Sequence, residues 1–344
     1  MKCPVCLNEV QPKLVETHID PIENKEYKIY SCPNCEVEFS EPMRNPGPEY
    51  YQKFTDLWGY RGKSVLLPNW RLKHLKMLCK TNPKPLKLLD VGCGYGDFLF
   101  EAQKVGCQVT GIDFDEEKVK IAKKKGIKNV YVTDFDNFYK EAKTEKFDII
   151  TFFELLEHME NPNRFIDMVS DLLSPGGYIM LDVPNNQRVL KSASGVIDYP
   201  PHHLTRWTPK ALLNFIRKKN FEIITTTTIY PIMFLYDNLF TLLSMTFLGV
   251  VKKVLFKRKS IHELRTTPLE YYFAQEISSR NLFLFFLKNR KIRKSILEII
   301  KFFYYLVIIP TTILPVFPLL AYLHKKDRGL FIFLVAKKTN ENCN

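Results

Sequence analysis

Residues 88–99, LLDVGCGYGDFL, decide the fold of this chain. Apolar residues lead to an acid, Asp90, after which glycines stand at alternate positions, and Asp97 opens a run with helical apolar spacing. The pattern predicts a buried strand, a tight turn and a helix that begins near Asp97. Glycine permits such a turn and lets a ligand approach the backbone where a Cβ would clash. The turn glycines are Gly92, Gly94 and Gly96.

A second short strand that ends in an acid follows the predicted helix. Gln108–Asp113 has the sequence QVTGID, and Asp113 lies 23 residues beyond Asp90. A βαβ unit places at about this distance the carboxylate that binds ribose hydroxyls. The glycine spacing is G-x-G-x-G, which differs from the dinucleotide-binding G-x-G-x-x-G. The two segments together predict a βαβ unit whose acid binds a ribose.

These segments resemble the class I, Rossmann-like methyltransferases that use S-adenosylmethionine (SAM). Three further segments match the family in order: a third strand with its adenine-side acid at 130–134 (VYVTD), a fourth strand with an LEH segment at 147–162, and an L-x-P-G-G turn with a fifth strand at 172–185. The resemblance implies an α/β fold with a doubly wound, seven-stranded sheet and SAM as the cofactor. We expect the methyltransferase core at residues 85–228, completed by a last strand within 327–344.

The resemblance also implies which residues hold the cofactor. Asp90 is expected to accept a hydrogen bond from the amino group of SAM, and Asp113 from both ribose hydroxyls. Phe114 is expected to pack on the adenine ring, and Asp134 to accept from the adenine amino group unless Asp136 takes its place. The cofactor-binding residues predicted in this way are Asp90, Gly92, Gly94, Gly96, Asp113, Phe114, Asp134, Phe135 and Glu154.

Residues 198–207, DYPPHHLTRW, resemble the family segment that enters the acceptor side. His202 and His203 are the predicted catalytic residues, as general base or acceptor contact, because histidine exchanges protons near neutral pH. Packing or capping of this loop is the alternative role for either of them. Glu154 follows the fourth strand, so we expect it near the transferred methyl group. The family-matched Glu157 and His158 on the following turn are expected to hold the methionine part of the cofactor or the acceptor, and a structural hydrogen bond under the loop is the alternative for His158.

Four cysteines precede this core in two C-x2-C pairs that are separated by 25 residues. Each pair can form a tight knuckle, and four thiolates complete a tetrahedral Zn²⁺ site without an open position for catalysis. We predict a zinc ribbon with a structural metal at residues 1–42. The ribbon either docks a substrate or partner, or only stabilises a segment too small to build its own core. The predicted zinc ligands are Cys3, Cys6, Cys32 and Cys35.

A linker and helical cap are predicted at residues 43–84, with a helix at Asn69–Lys80. In related methyltransferases an N-terminal helix with aromatic residues covers the cofactor. The resemblance therefore implies that an aromatic side chain of this cap closes over SAM, and packing into the core is the alternative. The aromatic candidates are Tyr50, Tyr51 and Trp58.

About a hundred residues separate the sixth predicted strand, Phe221–Ile229, from the last one. This insertion, residues 229–326, contains two apolar stretches at 232–251 and 302–323, flanked by clusters of lysine and arginine. Apolar surface beside polybasic clusters is typical of proteins that bind an anionic membrane surface. A buried helical lid or a dimer interface is the alternative interpretation.

The formal net charge of +13 also indicates an anionic partner. We expect a SAM-dependent methyltransferase that O-methylates a lipid-linked, glycan-related or small-molecule acceptor at the inner face of the membrane. The insertion resembles those of bacterial methyltransferases in surface-glycan and lipid pathways. The cysteine pattern and the start of the chain, which shows no secretory signal, favour the reducing cytoplasm.

Two alternative functions stay open. A zinc-containing RNA methyltransferase suits the positive charge, but the basic residues cluster beside apolar stretches and not beside stacking aromatics. The N-P-P-[FY] motif of amine methylation is also absent after the fourth strand, where residues 152–155 are FFEL. The second alternative is a non-enzymatic membrane adaptor built on a methyltransferase fold, which the intact glycine turn and Asp113 disfavour.

Overall fold

A computed structural model describes residues 1–58, 69–188, 197–229 and 329–339 of the chain. Within these ranges, no helix combines the length and the apolar character needed to cross a membrane. The predicted insertion lies outside the described residues from position 230 onward, so its interpretation stays a prediction. The described residues belong to one compact unit, formed by Met1–Ile229 with Asp327–Asn344.

The N-terminal segment forms a small antiparallel sheet. Its strands are β1 (Lys13–Ile19), β2 (Glu26–Ser31) and β3 (Glu38–Glu41), with β2 in the middle. In β2, Tyr27 and Ile29 are buried whereas the neighbouring Glu26 and Lys28 are exposed. This alternation is typical of an antiparallel sheet that packs on one face only.

The remaining strands are β4 (Lys87–Val91), β5 (Gln108–Asp113), β6 (Val130–Val132), β7 (Phe147–Phe153), β8 (Leu173–Pro184), β9 (Thr205–Arg206), β10 (Phe221–Ile229) and β11 (Phe331–Lys338). Seven of them form one sheet in the order β10-β11-β8-β7-β4-β5-β6. Strands β4 to β8 run parallel to one another, and β11 runs antiparallel to both β8 and β10. This topology confirms the predicted seven-stranded α/β sheet.

The helices are α1 (Pro48–Trp58), α2 (Asn69–Lys80), α3 (Asp97–Lys104), α4 (Glu116–Lys124), α5 (Phe135–Glu141), α6 (Pro162–Leu172) and α7 (Pro209–Lys218). The sheet is buried on both faces. Leu88 and Leu89 are adjacent in β4 and both fully buried, Leu88 in a cluster with Leu99 of α3 and Leu89 in a cluster with Ile166 of α6. Successive side chains of a strand point to opposite faces, so apolar layers cover both sides of the sheet.

Two of the contacts that join the N-terminal sheet to the rest of the unit involve the backbone. The side-chain amide of Asn163, at the start of α6, donates to the carbonyl oxygens of Pro4 and Val5 at 2.7 and 2.8 Å. Strand β3 pairs with β9, so that Phe39 lies opposite Thr205. The four-stranded order β1-β2-β3-β9 therefore includes a strand from the predicted acceptor segment.

The glycine turn has the backbone conformation that its sequence predicts. Gly92, Gly94 and Gly96 have φ angles of 75°, 53° and 72°, in the region that favours glycine. Helix α3 begins at Asp97, as predicted, and Gly96 occupies the N-cap position. A Cβ at Gly96 would stand 2.7 Å from both the Ala122 Cβ and the Ile127 Cδ1, which pack against the turn.

Replacing Gly96 by alanine is expected to destabilise the protein more than the same change at Gly126. Both glycines have positive φ, but a Cβ at Gly126 meets nothing within 4 Å. We expect Gly126→Ala to cost about 1 kcal/mol from backbone strain alone, and Gly96→Ala to cost about 3 kcal/mol because overpacking is added. Urea unfolding of the two variants measures the difference, and equal midpoints would contradict the close packing at Gly96.

Candidate functional site

The buried carboxylate of Asp113 joins the end of β5 to the glycine turn after β4. Its Oδ2 accepts a hydrogen bond from the Gly94 amide at 2.8 Å, and its Oδ1 accepts one from the Asp115 amide at 2.9 Å. Burial raises the pKa of this carboxyl above its ordinary value. Each oxygen keeps a second lone pair, so the group can accept two further hydrogen bonds, as a ribose with two hydroxyls requires.

Asp90 is the penultimate residue of β4, two positions before Gly92, where the turn begins. It is 3% exposed, and the Thr151 hydroxyl of β7 donates to its Oδ1 at 2.6 Å. Burial raises the pKa of Asp90 to about 7. A carboxyl in this setting gains strongly from a cationic partner, such as the ammonium group of SAM.

The other predicted cofactor residues lie in different surroundings. The Phe114 ring is 44% exposed and lies beside Tyr51 of α1, with 5.7 Å between ring centroids. Asp134 caps α5, since its Oδ1 accepts from the Asn137 amide at 2.8 Å. Phe135 packs on Phe165 in the core at 5.0 Å. The adenine-side roles of Phe114, Asp134 and Phe135 stay predictions.

Glu154 belongs to an ion-pair network that the sequence analysis missed. Arg71 of α2 binds Asp182 of β8 through two hydrogen bonds, of 2.7 and 2.9 Å, and binds the Glu154 Oε1 at 3.0 Å. Its guanidinium also lies over the Phe153 ring, 4.2 Å from the centroid. Asp182 is fully buried within an apolar strand. An acid in such a strand was the one feature of the sequence that indicated a buried ion pair. The network fixes α2 at the carboxyl end of the sheet.

Three histidines meet beside the carboxyl end of the sheet. His158 lies in a 3₁₀ turn, Leu156–His158, that follows β7, and His202 and His203 lie on the predicted acceptor loop. Their ring centroids are 4.8 to 4.9 Å apart in all three pairs. Burial lowers the pKa of His158 to about 4 and lowers the pKa values of His202 and His203 well below the ordinary range. All three side chains are therefore neutral at pH 7.

Of the three aromatic lid candidates, Tyr51 contacts both parts of the site. Its ring lies 5.6 Å from His202 and 6.0 Å from His158, in addition to its contact with Phe114. Tyr50 points elsewhere, and its hydroxyl donates to Asp20 of the N-terminal sheet at 2.8 Å. The Trp58 side chain lies outside the described residues. Tyr51 thus connects the residue that follows Asp113 with the histidines.

The acceptor loop is held by the N-terminal sheet. Arg206 binds Glu16 of β1 at 2.6 Å and Glu38 of β3 at 3.3 Å, and its guanidinium lies over the Tyr199 ring at 4.6 Å. Tyr199 in turn stacks on His18 of β1 with 4.5 Å between centroids. Folding of the N-terminal sheet and placement of the loop that carries the two predicted catalytic histidines are therefore physically coupled.

The four predicted zinc ligands come together in the N-terminal sheet unit. Their Sγ atoms lie within 4.8 Å of one another, and the Sγ atoms are 3.7 Å apart both between Cys3 and Cys35 and between Cys6 and Cys32. A tetrahedral Zn²⁺ site with Zn–S bonds of about 2.3 Å places its sulfurs about 3.8 Å apart. The donor set and its spacing therefore fit Zn²⁺, as a proposal that metal analysis can test.

The two cysteine pairs repeat the same local fold. In each, the amide of the fourth residue after the first cysteine donates to that cysteine's carbonyl at 3.0 Å: Leu7 to Cys3, and Glu36 to Cys32. Leu7 and Glu36 also share positive φ angles of 61° and 63°. Two matching knuckles that face each other give the arrangement that a four-thiolate metal site requires.

Comparison with known proteins places a recognised domain over the sheet. Residues 68–226 match a family model whose description is "Methyltransferase domain". The matched range contains the glycine turn, Asp90, Asp113 and the three histidines, together with the parallel strands that position them. This part of the chain is therefore similar to known methyltransferase domains.

Curated relatives match the chain over part of their length. A ubiquinone biosynthesis O-methyltransferase of Coxiella burnetii (strain Dugway 5J108-111) is 36% identical over 155 residues, which cover 41% of this chain and 64% of the relative. A protein of the same name from Shewanella halifaxensis is 32% identical over 103 residues, 29% of this chain and 44% of the relative. The chain thus spans less than two thirds of the length of these relatives.

One of the solved structures that the chain matches is a SAM-dependent methyltransferase from Archaeoglobus fulgidus. It is 17% identical in sequence, has a TM-score of 0.44, and the alignment covers 84% of this chain and 100% of the other.

Affinity for SAM is expected to fall as the pH drops below about 7. Because burial raises the pKa of Asp90 to about 7, the carboxyl is protonated at lower pH and must lose its proton to accept from the cofactor's ammonium group. The expected loss approaches tenfold per pH unit. Calorimetric titration from about pH 8 to about pH 6 measures it. An Asp90→Asn variant should bind more weakly at high pH and lose the dependence; a slope that persists in this variant would assign it to another group.

Proposed function

We propose that this protein is a SAM-dependent methyltransferase that transfers the methyl group to a hydroxyl oxygen of a lipid-linked or glycan-related acceptor at a membrane surface. The observation that carries the proposal is the joint placement of Asp90, the glycine turn and Asp113 at the carboxyl ends of adjacent parallel strands. In open α/β sheets this is where ligands bind. The methyltransferase-domain match over residues 68–226 supports the same chemistry.

The residues of the turn suit each part of SAM. Asp90 is placed to accept from the amino group and Asp113 from the ribose hydroxyls, while the amides at the start of α3 can bind the carboxylate. When bound, SAM supplies the activated methyl group. The protein then has to hold the acceptor oxygen in line with the bond that breaks, and to exclude water from the site.

The acceptor side is formed by the loop at residues 197–207 and by the turn that follows β7. The Leu204 amide donates to the Glu157 carbonyl at 2.8 Å, which holds the loop against that turn. His202 lies under Tyr51 and Phe54 of α1, with the Phe54 ring stacked on it at 4.6 Å. We assign contact with the acceptor to this surface. Its neutral histidines and aromatic rings suit an uncharged acceptor group better than a charged one.

The choice of a hydroxyl and of a membrane surface has separate support. The curated relatives are named O-methyltransferases, which favours oxygen as the acceptor atom. The apolar stretches at 232–251 and 302–323 and the basic clusters beside them favour an anionic membrane as the place of reaction. These stretches lie outside the described residues, so this part of the proposal rests on sequence alone.

An Asp113→Ala variant is expected to lose SAM affinity by about 100-fold, because two hydrogen bonds to a charged group disappear. Calorimetric titration measures the loss, and Glu116→Ala, which removes an exposed acid of α4, is the matched control. Circular dichroism during thermal unfolding shows whether the variant still folds without the Gly94–Asp113 bond. Unchanged affinity in a folded Asp113→Ala variant would overturn the proposed cofactor site.

Flotation with liposomes tests the membrane part of the proposal. The protein is expected to float with vesicles that contain anionic lipid at low salt, and less at high salt, since exposed charges are screened. A Lys257→Glu, Arg258→Glu, Lys259→Glu variant should float less, whereas Lys123→Glu, Lys124→Glu, Lys128→Glu, with three exposed lysines replaced near α4, should float like wild type.

Equal flotation of the two charge-reversal variants would contradict the proposed membrane contact. A protein that binds SAM but never floats would keep the methyltransferase proposal and direct the search for the acceptor to RNA or to a soluble metabolite.

A further inference from the structure

The three histidines have the spacing of ligands around one metal ion. Their candidate ligand atoms lie within 4.8 Å of one another, and the three ring centroids form a nearly equilateral triangle with sides of 4.8 to 4.9 Å. Around a tetrahedral ion with metal–nitrogen bonds of 2.0–2.1 Å, imidazole centroids stand roughly 5 Å apart. The rings in the structure already have that separation.

Hydrogen bonds at the Nδ1 atoms decide which ring nitrogen carries the proton and which is left with a lone pair. The Nδ1 of His158 donates to the His202 carbonyl, and the Nδ1 of His202 donates to the Ile197 carbonyl at 3.0 Å. A carbonyl oxygen only accepts, so in both rings Nδ1 carries the proton and Nε2 the lone pair. The Nδ1 of His203 lies 3.5 Å from the Asp198 carboxylate. Metal-binding histidines show this pattern, with the second nitrogen bound to a carbonyl or carboxylate.

A buried carboxylate without a partner faces the same cluster. Glu157 is 1% exposed, and neither of its side-chain oxygens has a hydrogen-bond partner among the described residues. Its Oε1 lies 4.0 Å from the His203 Nε2. An uncompensated carboxylate in such a position is costly, and three neutral imidazoles do not offset its charge. A divalent cation among these four side chains would do so.

We propose that His158, His202, His203 and Glu157 bind one divalent transition-metal ion, separate from the cysteine cluster. Imidazole nitrogen with one carboxylate is a donor set that suits Zn²⁺ and its neighbours in the first row, and it fills a tetrahedral site. The ion joins the acceptor loop to the turn that follows β7. The inference rests on the proposed function only for the role of that loop, and it makes His202 and His203 metal ligands in place of a general base.

Metal analysis of the full-length protein after expression with added Zn²⁺ tests the proposal. Wild type is expected to contain about two Zn²⁺ per chain, one in each cluster. A His202→Gln, His203→Gln variant should contain about one, and so should Cys32→Ser, Cys35→Ser. His74→Gln, which replaces a histidine of α2 outside both clusters, is the matched control and should match wild type.

Cobalt titration is a second test of the same site. It detects a site that has lost its metal during purification, and it does not depend on the double variants being folded. Co²⁺ added to wild type with a zinc-filled cysteine cluster should give weak visible bands of nitrogen and oxygen ligation, without the strong near-ultraviolet absorption of thiolate ligation. The same bands should appear in His74→Gln and vanish in His158→Gln, which changes no residue of the acceptor loop. Wild type with about one Zn²⁺ per chain and without cobalt bands would overturn the metal site.

SAM affinity measured on the same samples separates this inference from the proposed function. Wild type that binds SAM but shows neither a second Zn²⁺ nor cobalt bands would overturn the metal site and keep the methyltransferase proposal. A second metal without SAM affinity would support the metal site and overturn the proposed cofactor site.

Discussion

The hydrogen bond from the Gly94 amide to the Asp113 carboxylate is the constraint on which the site depends. It ties the turn after β4 to the end of β5, and it forms only because Gly94 adopts a positive φ that side chains disfavour. The bond turns an acid into a rigid acceptor with two lone pairs available. Asp90 then lies two positions before Gly92, and α3 begins beside Gly96. The proposed cofactor site is thus formed by the turn and the hydrogen bond that connect the carboxyl ends of two adjacent parallel strands.

The N-terminal sheet takes part in the acceptor side as well as in its own folding. Strand β9 extends that sheet from the loop side, and Arg206 binds acids on β1 and β3. A metal in the cysteine cluster would therefore stabilise more than the two knuckles. Its loss would release one wall of the acceptor loop while leaving the glycine turn unchanged. The N-terminal sheet thus contacts the acceptor loop directly, through strand pairing and through Arg206.

The fold could be predicted from sequence to a large extent because its signals are local. The predicted bounds of β5, β10 and α2 agree with the structure to the residue. Strand β5 was recognised as a short apolar run, β10 by its resemblance to the sixth strand of the family, and α2 by its apolar residues at helical spacing. The cysteine spacing indicated the four-sulfur cluster for the same reason. At the site, Asp113 followed from its distance to the glycine turn, and the structure shows it bonded to that turn.

The missing parts of the site are contacts between distant residues. Arg71 meets Asp182 across 111 positions, and no spacing rule relates a residue of an amphipathic helix to one buried in a strand. Similarly, Glu157 faces His203 only because Leu204 bonds to the turn that follows β7. Asp134 shows the opposite case, in which a sequence pattern does not tell two roles apart. Its position in the sequence suits an adenine contact, but in the structure its carboxylate accepts a hydrogen bond at the start of α5. Such choices are made by packing, which a linear pattern does not contain.

The position of β11 has a consequence for how the protein is made. Its strand lies between β8 and β10, both of which precede it in the chain, and residues 230–330 are synthesised before it. Until Phe331–Lys338 leaves the ribosome, the facing edges of β8 and β10 have no strand to pair with, and the core around Phe333 is incomplete. The segment that follows β10 therefore emerges while the sheet is still open. If the nascent chain contacts a membrane through that segment, it would do so before β11 completes the sheet.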